Sequence, residues 1–282
     1  MPHPSIKIFS AYHKPAPLFR NGIVTPVHAG REAARRTVGK GGLSEREYAW
    51  MLENMPGDDS GEHISGLNPR FAEMTVIYWA WRNYAALGSP DYVGFCHYRR
   101  FFDFSGQLPR PSMRVADMSP EQFEALSSEA RIRAVVPLHD VCLKTPAPNP
   151  GTVLQQYADC GLPLADLLTA FRLAGEKYPD FLPCTEAYAR ADRHHVCNMF
   201  IMRKDLFFSY AEWMFDILFA ADALVDYSLH PPNDRRVAAY LAERLTGVYL
   251  TWLRSRPELR ARELNVALHC QSSPFDPDSR KM

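Results

Sequence analysis

The chain has 282 residues, of which 46% are hydrophobic, so it can bury a sizeable core in one large domain or two small ones, and we expect one. Lys and Arg together number 32, and so do Asp and Glu, which excludes a global field that would favour nucleic acid or an anionic membrane. Any anion-binding site must therefore be local.

Signals for export or membrane insertion are absent from the sequence. The amino terminus lacks a basic region followed by a long apolar run, and no window approaches the roughly 18 apolar residues of a membrane span. The six cysteines are scattered, without a C-x-x-C pair or metal-ligand spacing, which predicts buried free thiols in a reducing compartment. We expect a cytoplasmic protein, with peripheral docking at the inner face of the cytoplasmic membrane left open.

The first half of the chain alternates strand and helix patterns. Residues 6–12 read as a first strand that prolines 15 and 17 end, and residues 31–44 and 55–66 read as loops because they are rich in glycine and polar residues. Asn68 and Pro69 form a strong helix start, which predicts a helix over 69–87. A buried strand over 92–96 follows.

The second half continues the same alternation. Ser119 and Gln122 predict a capping box at a helix start, and the apolar run 132–137 predicts another buried strand. After a proline-rich loop over 137–150, we expect helices at 152–160, 163–177, 205–222 and 234–254, and strands at 196–203 and 264–268. Asp205 is expected to cap its helix. The order predicts an α/β fold with a mainly parallel sheet and helices on both faces.

The most informative segment spans residues 91–102, where an apolar strand runs directly into His97, Tyr98, Arg99 and Arg100. Strands of α/β enzymes present functional groups at their carboxyl ends, and paired guanidinium groups there can bind a phosphate or carboxylate. If the segment stays extended, side-chain alternation puts His97 and Arg99 on one side and Tyr98 and Arg100 on the other, so only one arginine faces a given cleft. The alternative is a solvated turn whose arginines pair with surface carboxylates.

Common catalytic signatures are missing from the sequence. There is no G-x-S-x-G, no P-loop, no G-x-G-x-x-G after a strand and no H-E-x-x-H. The D-x-D at 276–278 lies in a polar tail and is attributed to chance, so a divalent metal such as Mn or Mg lacks a usable motif. His194 and His195 are adjacent and should point apart, without an evident third ligand.

Several motifs together resemble one family. They are IKIFSAYHK at 6–14, the loop at 57–65, NPRFAEMTVIYWAW at 68–81, HYRR at 97–100, CNMFIM at 197–202 and ERL at 243–245. This combination resembles the DUF4422 family of bacterial polysaccharide glycosyltransferases. The resemblance implies a GT-A-like, Rossmann-related fold, a nucleotide-sugar donor, and a role in capsule, exopolysaccharide or O-antigen assembly. Some relatives are similar to galactofuranosyltransferases that use UDP-galactofuranose. Three sites depart from the usual pattern: Glu62-His63, Phe101 and Ala242.

The resemblance also implies a division of the single domain, 1–282. The donor-binding part is expected at about 1–140 and the acceptor-side part at about 141–270, followed by a polar tail at 271–282. Three sets of site residues follow: catalytic His97, Arg99, Arg100 and Asp192; donor-binding Ala11, Tyr12, His13, Lys14, Asp58 and Asp59; and acceptor-binding Glu73, Tyr98, Asn198 and Glu243. Asp192 is the first candidate for the catalytic base, with Glu243 and Asp103 as alternatives. Structural roles remain open for the loop at 58–65, Glu73, Asn198 and Glu243.

The predicted function is transfer of a sugar from a nucleoside diphosphate, expected to be UDP, to a glycan or lipid-linked glycan, with the arginines stabilising the departing diphosphate. Two alternatives remain. One is a non-catalytic carbohydrate-binding or scaffold protein of a polysaccharide operon, with Trp79, Trp81 and Tyr98 as its aromatic platform. The other is a metal-dependent hydrolase built on the histidines.

Overall fold

The computed structural model describes residues 3–231 and 235–270. Within them the strands are β1 (Ile6–Tyr12), β2 (Val24–His28), β3 (Tyr92–His97), β4 (Arg100–Phe102), β5 (Ser112–Val115), β6 (Val141–Lys144), β7 (Ala147–Pro148), β8 (Arg193–His194), β9 (Phe200–Arg203), β10 (Ala261–Leu264) and β11 (Val266–His269). The α-helices are α1 (Arg31–Thr37), α2 (Glu45–Asn54), α3 (Asn68–Phe71), α4 (Met74–Arg82), α5 (Pro120–Ser127), α6 (Glu129–Val135), α7 (Val153–Asp159), α8 (Leu164–Lys177), α9 (Leu182–Ala189), α10 (Lys204–Asp222) and α11 (Val237–Arg254).

The main sheet is mixed. Its strands follow the order β10-β6-β9-β3-β4-β11-β5, and β1 pairs with β3 and β2 beside this path. The pairs β1–β2, β1–β3, β6–β10 and β5–β11 are parallel, whereas β9 and β4 run antiparallel to their neighbours. The first three strands therefore bring their carboxyl ends to one edge, while β7 and β8 form a separate short ribbon.

Alternating side chains of the strands bury both faces of the sheet. Phe9 and Phe200 join a large cluster with α4, α8, α10 and α11, whereas their neighbours Ile8 and Ile201 join a second cluster with α5 and α6. An apolar residue on each side of a strand is what a sheet covered by helices on both faces requires. The predicted two-sided burial and the predicted β1 bounds agree with the structure.

Two segments differ from their expected secondary structure. Residues 132–137 form the end of α6 and a 3-10 turn instead of a strand, and β6 begins only at Val141. A short apolar run does not distinguish a strand from a helix by periodicity, and Pro137 has no N–H for a ladder. Residues 31–44 contain α1, and Ser44 caps α2 through a reciprocal capping box with Glu47.

The helix expected over 69–87 is broken after one turn. Ala72 adopts a φ of 43° between α3 and α4, and α4 ends at Arg82. The Asn68 side chain does not cap a helix start; its amide donates to the Ala72 carbonyl at 2.8 Å, which holds the break. Glu73 consequently lies at the beginning of α4, at the edge of a cleft.

Of the two other predicted helix caps, the structure confirms one. The capping box of Ser119 and Gln122 is present, whereas Asp205 does not cap α10 and pairs with Arg203. Cys96 and Cys142 are buried, but Cys160 and Cys270 are exposed, contrary to the expectation of buried thiols. The start of the helix expected at residue 234 and the tail lie outside the described residues. None of the described helices is both long and apolar enough to cross a bilayer.

Candidate active site

A cavity of about 580 Å³ lies at the edge of the sheet where β1, β2 and β3 end. In open α/β sheets ligands bind outside the carboxyl ends of the strands. Six segments line this main cleft: the end of β1, the end of β2, the α3–α4 break, the β3–β4 connection, the approach to β9, and the beginning of α11. Its lining residues are Ala11, His13, Ala29, Asn68, Pro69, Ala72, Glu73, His97, Tyr98, Arg99, Arg100, Cys197, Arg235, Arg236, Ala239, Tyr240 and Glu243.

The β3–β4 connection is a tight hairpin turn. His97 pairs with Arg100 across the antiparallel ladder, and Tyr98 and Arg99 form the turn between them. All four side chains line the main cleft. Residues 97–100 are therefore not extended, so side-chain alternation does not apply to them. The prediction that only one of the two arginines faces the cleft is wrong.

The hairpin gives the main cleft a cationic wall. The Arg99 guanidinium lies 4.9 Å from the centre of the Tyr98 ring, and its enclosed Nε has no hydrogen-bond partner in the part of the chain that the structure describes. Within residues 3–231 and 235–270, neither Arg99 nor Arg100 pairs with a carboxylate. The alternative of a solvated turn with arginine–carboxylate pairs is thus not what the described residues form, and the charge of both groups remains available to an anion.

Two carboxylates face this wall. Glu73 accepts a hydrogen bond from Asn198 Nδ2 at 2.8 Å, and Asn198 Oδ1 accepts one from the Thr246 hydroxyl at 3.0 Å. The Tyr210 hydroxyl lies 2.8 Å from the Thr246 hydroxyl and completes a buried chain. This chain orients the Asn198 amide so that it donates to Glu73, which fixes the Glu73 carboxylate from behind.

Glu243 is fixed more tightly than Glu73. One carboxylate oxygen accepts from the backbone N–H of Cys197 at 2.8 Å and the other from Arg244 Nη1 at 2.9 Å. Burial raises the pKa of Glu243, Glu73 adds to that rise, and the positive charges of Arg244 and Arg100 oppose it. A carboxylate with a raised pKa in a cleft is a stronger base than an ordinary surface carboxylate.

His97 is held as a neutral ring. Burial lowers the pKa of His97, and the nearby Arg100 and Arg99 charges lower it further, while Glu73 opposes them. Its Nε2 lies against the carbonyl oxygen of Cys197, which can only accept, so this nitrogen carries the proton. A neutral His97 places no additional positive charge beside the arginines.

Backbone strain concentrates around the main cleft. Ala72, Cys197 and Asn198 have φ values of 43°, 78° and 44°, in the region that residues with a side chain rarely adopt. Each such residue costs on the order of 1–3 kcal/mol, and the surrounding structure must hold it. The strained pair at 197–198 directs the Cys197 N–H to Glu243 and the Asn198 amide to Glu73.

Several predicted site residues lie away from the main cleft. Asp192 is exposed on the segment before β8, and Lys14 is exposed just beyond His13. The Tyr12 hydroxyl donates to the Pro17 carbonyl inside the fold, and Asp59 lies 3.6 Å from Arg31. None of the four lines the main cleft, and their roles stay predictions.

Two further aspartates are enclosed by their own loops. Asp58 is fully buried and accepts from Gly30 N at 2.8 Å and from the hydroxyls of Ser65 and Thr75. Asp103 is buried too, and accepts three backbone N–H bonds from residues 105–108. Both carboxylates therefore organise loops in the described structure. Asn198 does not line the main cleft, but its amide donates to two residues that do, Glu73 and Ala239.

On α11 the sequence predicted Glu243 but not the cleft residues at the beginning of the helix. Arg235 and Arg236 line the main cleft at the start of this helix, together with Tyr240 one turn later. A second pair of adjacent arginines just after prolines 231 and 232 was the available signal. In residues 3–231 and 235–270, no three His, Cys, Asp or Glu side chains are grouped as metal ligands. The D-x-D at 276–278 lies outside the described residues.

The cleft and the sheet define an α/β protein whose main cleft lies at the strand ends. The chain belongs to the DUF4422 family, described as a domain of unknown function, which matches residues 7–254. Its structure matches that of the WbbM bifunctional glycosyltransferase in the apo state with a TM-score of 0.81 and 27% identity. The match covers 97% of this chain and 48% of WbbM, so the chain spans about half of that protein. It confirms the predicted GT-A-like, mixed α/β fold class. No curated protein matches the chain.

Proposed function

We propose that this protein is a glycosyltransferase that moves a hexosyl group from a nucleoside diphosphate to a growing bacterial surface polysaccharide. The donor we favour is a UDP-sugar, such as UDP-galactofuranose or another UDP-hexose. The fold match to a protein named as a glycosyltransferase supports the reaction class. A nucleotide-sugar donor is consistent with action at the cytoplasmic side of the membrane, on a capsule, exopolysaccharide or O-antigen glycan.

The observation that carries the proposal is the charge distribution of the main cleft. Arg99 and Arg100 form one wall without carboxylate partners in the described structure, and Glu73 and Glu243 face them. Glycosyl transfer needs positive charge where the diphosphate departs and a base where the acceptor hydroxyl attacks. A single cleft that offers both groups is suited to this reaction.

The proposed chemistry is a direct displacement. The acceptor hydroxyl oxygen forms a bond to the anomeric carbon while the bond from that carbon to the diphosphate oxygen breaks. The diphosphate leaves with the electron pair and is stabilised by Arg99 and Arg100, and the hydroxyl proton passes to Glu243. Glu73 accepts a hydrogen bond from a sugar hydroxyl, and neutral His97 holds the Cys197 carbonyl and with it the strained backbone.

The carbohydrate-binding alternative loses two of its three platform rings, and the third, Trp81, is only partly exposed. Trp79 is 4% exposed and donates to Ser60, and Tyr98 is 4% exposed beneath Arg99. Buried rings cannot stack on a passing sugar. We therefore retain the transferase as the one proposed function.

The test is binding and slow hydrolysis of a panel of nucleotide sugars by the purified protein. We expect at least one UDP-sugar to raise the melting temperature, and both Arg99→Gln and Arg100→Gln to weaken that effect about tenfold or more in affinity, since each loses a charge-assisted contact. Arg172→Gln, on the exposed face of α8, is the matched control and should behave as wild type. If no nucleotide stabilises the wild-type protein and none is hydrolysed, the proposal is refuted.

A further inference from the structure

A second, smaller cavity adjoins the main cleft. It has a volume of about 210 Å³ and shares Tyr240 and Glu243 with the main cleft, so these two residues form the partition between the cavities. The volume equals that of about seven liquid water molecules, which is room for one small organic group. We call it the side cavity; its other walls come from α7, the loop before α8, and the segment before β9.

The side cavity is electrically balanced, unlike the main cleft. Arg244 is 3% exposed and its guanidinium donates to Glu243 at 2.9 Å and to the Gln156 side-chain oxygen at 2.7 Å. Burial lowers the pKa of His194 to about 4, assisted by the positive charges of Arg244 and Lys144, so the ring is neutral at neutral pH. A cavity without net charge is a poor site for a phosphate and accommodates an uncharged ligand.

Two polar atoms of residues that line the side cavity have no well-formed hydrogen bond within residues 3–231 and 235–270. They are Nε of Arg244 and Nδ1 of His194, a residue that is 8% exposed and whose ring also lies near the backbone of Ala147. Buried polar groups in folded proteins are nearly always satisfied, so each exception needs an explanation. Leu162 and Val196 add apolar surface beside them. Polar groups that fix orientation next to apolar side chains suit a sugar ring, which has C–H faces and hydroxyls that both donate and accept.

We propose that the side cavity binds one uncharged sugar unit of the acceptor glycan. This inference rests on the proposed transferase function and assigns the acceptor to a place separate from the donor. Because Glu243 lies in the partition, a hydroxyl of a sugar in the side cavity approaches the same carboxylate that faces the donor side. Because the two cavities differ in charge, the diphosphate binds in the cationic main cleft and the neutral sugar binds in the side cavity.

The test is a substitution that fills the side cavity, with binding of the sugar and binding of the nucleotide-sugar measured separately. Leu162→Trp places a larger side chain in the cavity wall, and Leu168→Trp, at a leucine that is 48% exposed on α8, is the matched control. The probes are a panel of methyl hexosides, with binding followed by protein-detected NMR, and the UDP-sugar that stabilises the wild type. We expect Leu162→Trp to weaken binding of the best hexoside about tenfold or more while the nucleotide-sugar still raises the melting temperature.

A second variant covers the case in which the larger side chain prevents folding. His194→Phe keeps a ring of similar size and removes Nδ1, and should weaken hexoside binding about fivefold through one lost hydrogen bond. The inference is overturned if the wild type binds nucleotide sugars but no hexoside, or if both side-cavity variants bind the hexoside as tightly as wild type; the transferase proposal then stands. Absence of any nucleotide binding by the wild type would instead overturn the transferase proposal, and this inference with it.

Discussion

Two glycines inside helices differ in what an added methyl group would meet. A Cβ on Gly247 of α11 would lie 1.9 Å from Cζ and 2.1 Å from the hydroxyl oxygen of Tyr188. Tyr188 is 3% exposed and its hydroxyl accepts from the backbone N–H of His195 at 3.1 Å. The rigid ring therefore cannot move aside without disturbing the segment that forms a wall of the side cavity. We predict that Gly247→Ala destabilises the protein, although alanine favours helices.

The magnitude follows from three contributions. Carbon atoms in contact lie about 3.5–4.0 Å apart, so the ring and the new methyl group overlap by about 1.5 Å or more. Overpacking of this kind costs typically about 1–3 kcal/mol or more, and losing the Tyr188–His195 hydrogen bond adds about 1 kcal/mol. The gain in helix propensity offsets about 1 kcal/mol. We expect a net loss of about 1–3 kcal/mol in the free energy of unfolding and a fall in melting temperature of roughly 2–12 °C.

Gly175→Ala on α8 is the matched control. The nearest atom to its added Cβ is Leu182 Cδ1 at 3.0 Å, the end of a flexible side chain that is 48% exposed. This variant should be as stable as wild type or slightly more stable in urea unfolding and thermal melting. The double variant Tyr188→Leu/Gly247→Ala should lose less free energy of unfolding than the two single variants lose together. A Gly247→Ala protein that melts with the wild type would refute the reasoning.

Two further predictions concern the carboxylates and a buried histidine. Glu243→Gln should lower kcat about 100-fold or more with nucleotide binding retained, whereas Glu73→Gln should mainly raise KM; a larger kcat loss for Glu73→Gln would reverse the assignment. Burial, assisted by the Arg31 charge, lowers the pKa of His28 to about 4, and neither ring nitrogen has a hydrogen-bond partner among the described residues. The unfolded chain binds this proton near pH 6.5, so stability should fall below that pH, by about 2 kcal/mol at pH 5, and level off below pH 4. The measurement is the midpoint of urea unfolding as a function of pH. The His28→Phe variant should lose less stability between pH 6.5 and pH 4 than the wild type, and an unchanged pH dependence would show that His28 is not its cause.

Local rules sufficed where neighbouring residues determine the conformation. The bounds of β1, the capping box at Ser119 and the helices over 153–159 and 164–177 follow from prolines, caps and periodicity. Strand-end chemistry located the cationic segment at residues 97–100, and the family resemblance implied the other predicted lining residues Ala11, His13, Glu73 and Glu243. Local rules failed at 132–137, where a short apolar run is ambiguous, and at Ala72, where the Asn68 side chain bonds the Ala72 carbonyl and holds a break in the helix.

The sequence by itself determined the alternation of strands and helices, the family resemblance, and the chemical character of the strand end that carries His97 to Arg100. Only the tertiary structure decided which groups meet there. Glu73 and Asn198 are 125 residues apart in the chain, and Cys197 and Glu243 are 46 apart, yet each pair is joined by a hydrogen bond of 2.8 Å. Periodicity describes one element at a time, whereas the main cleft depends on the packing of six separate segments and on a turn that brings both arginines to one wall.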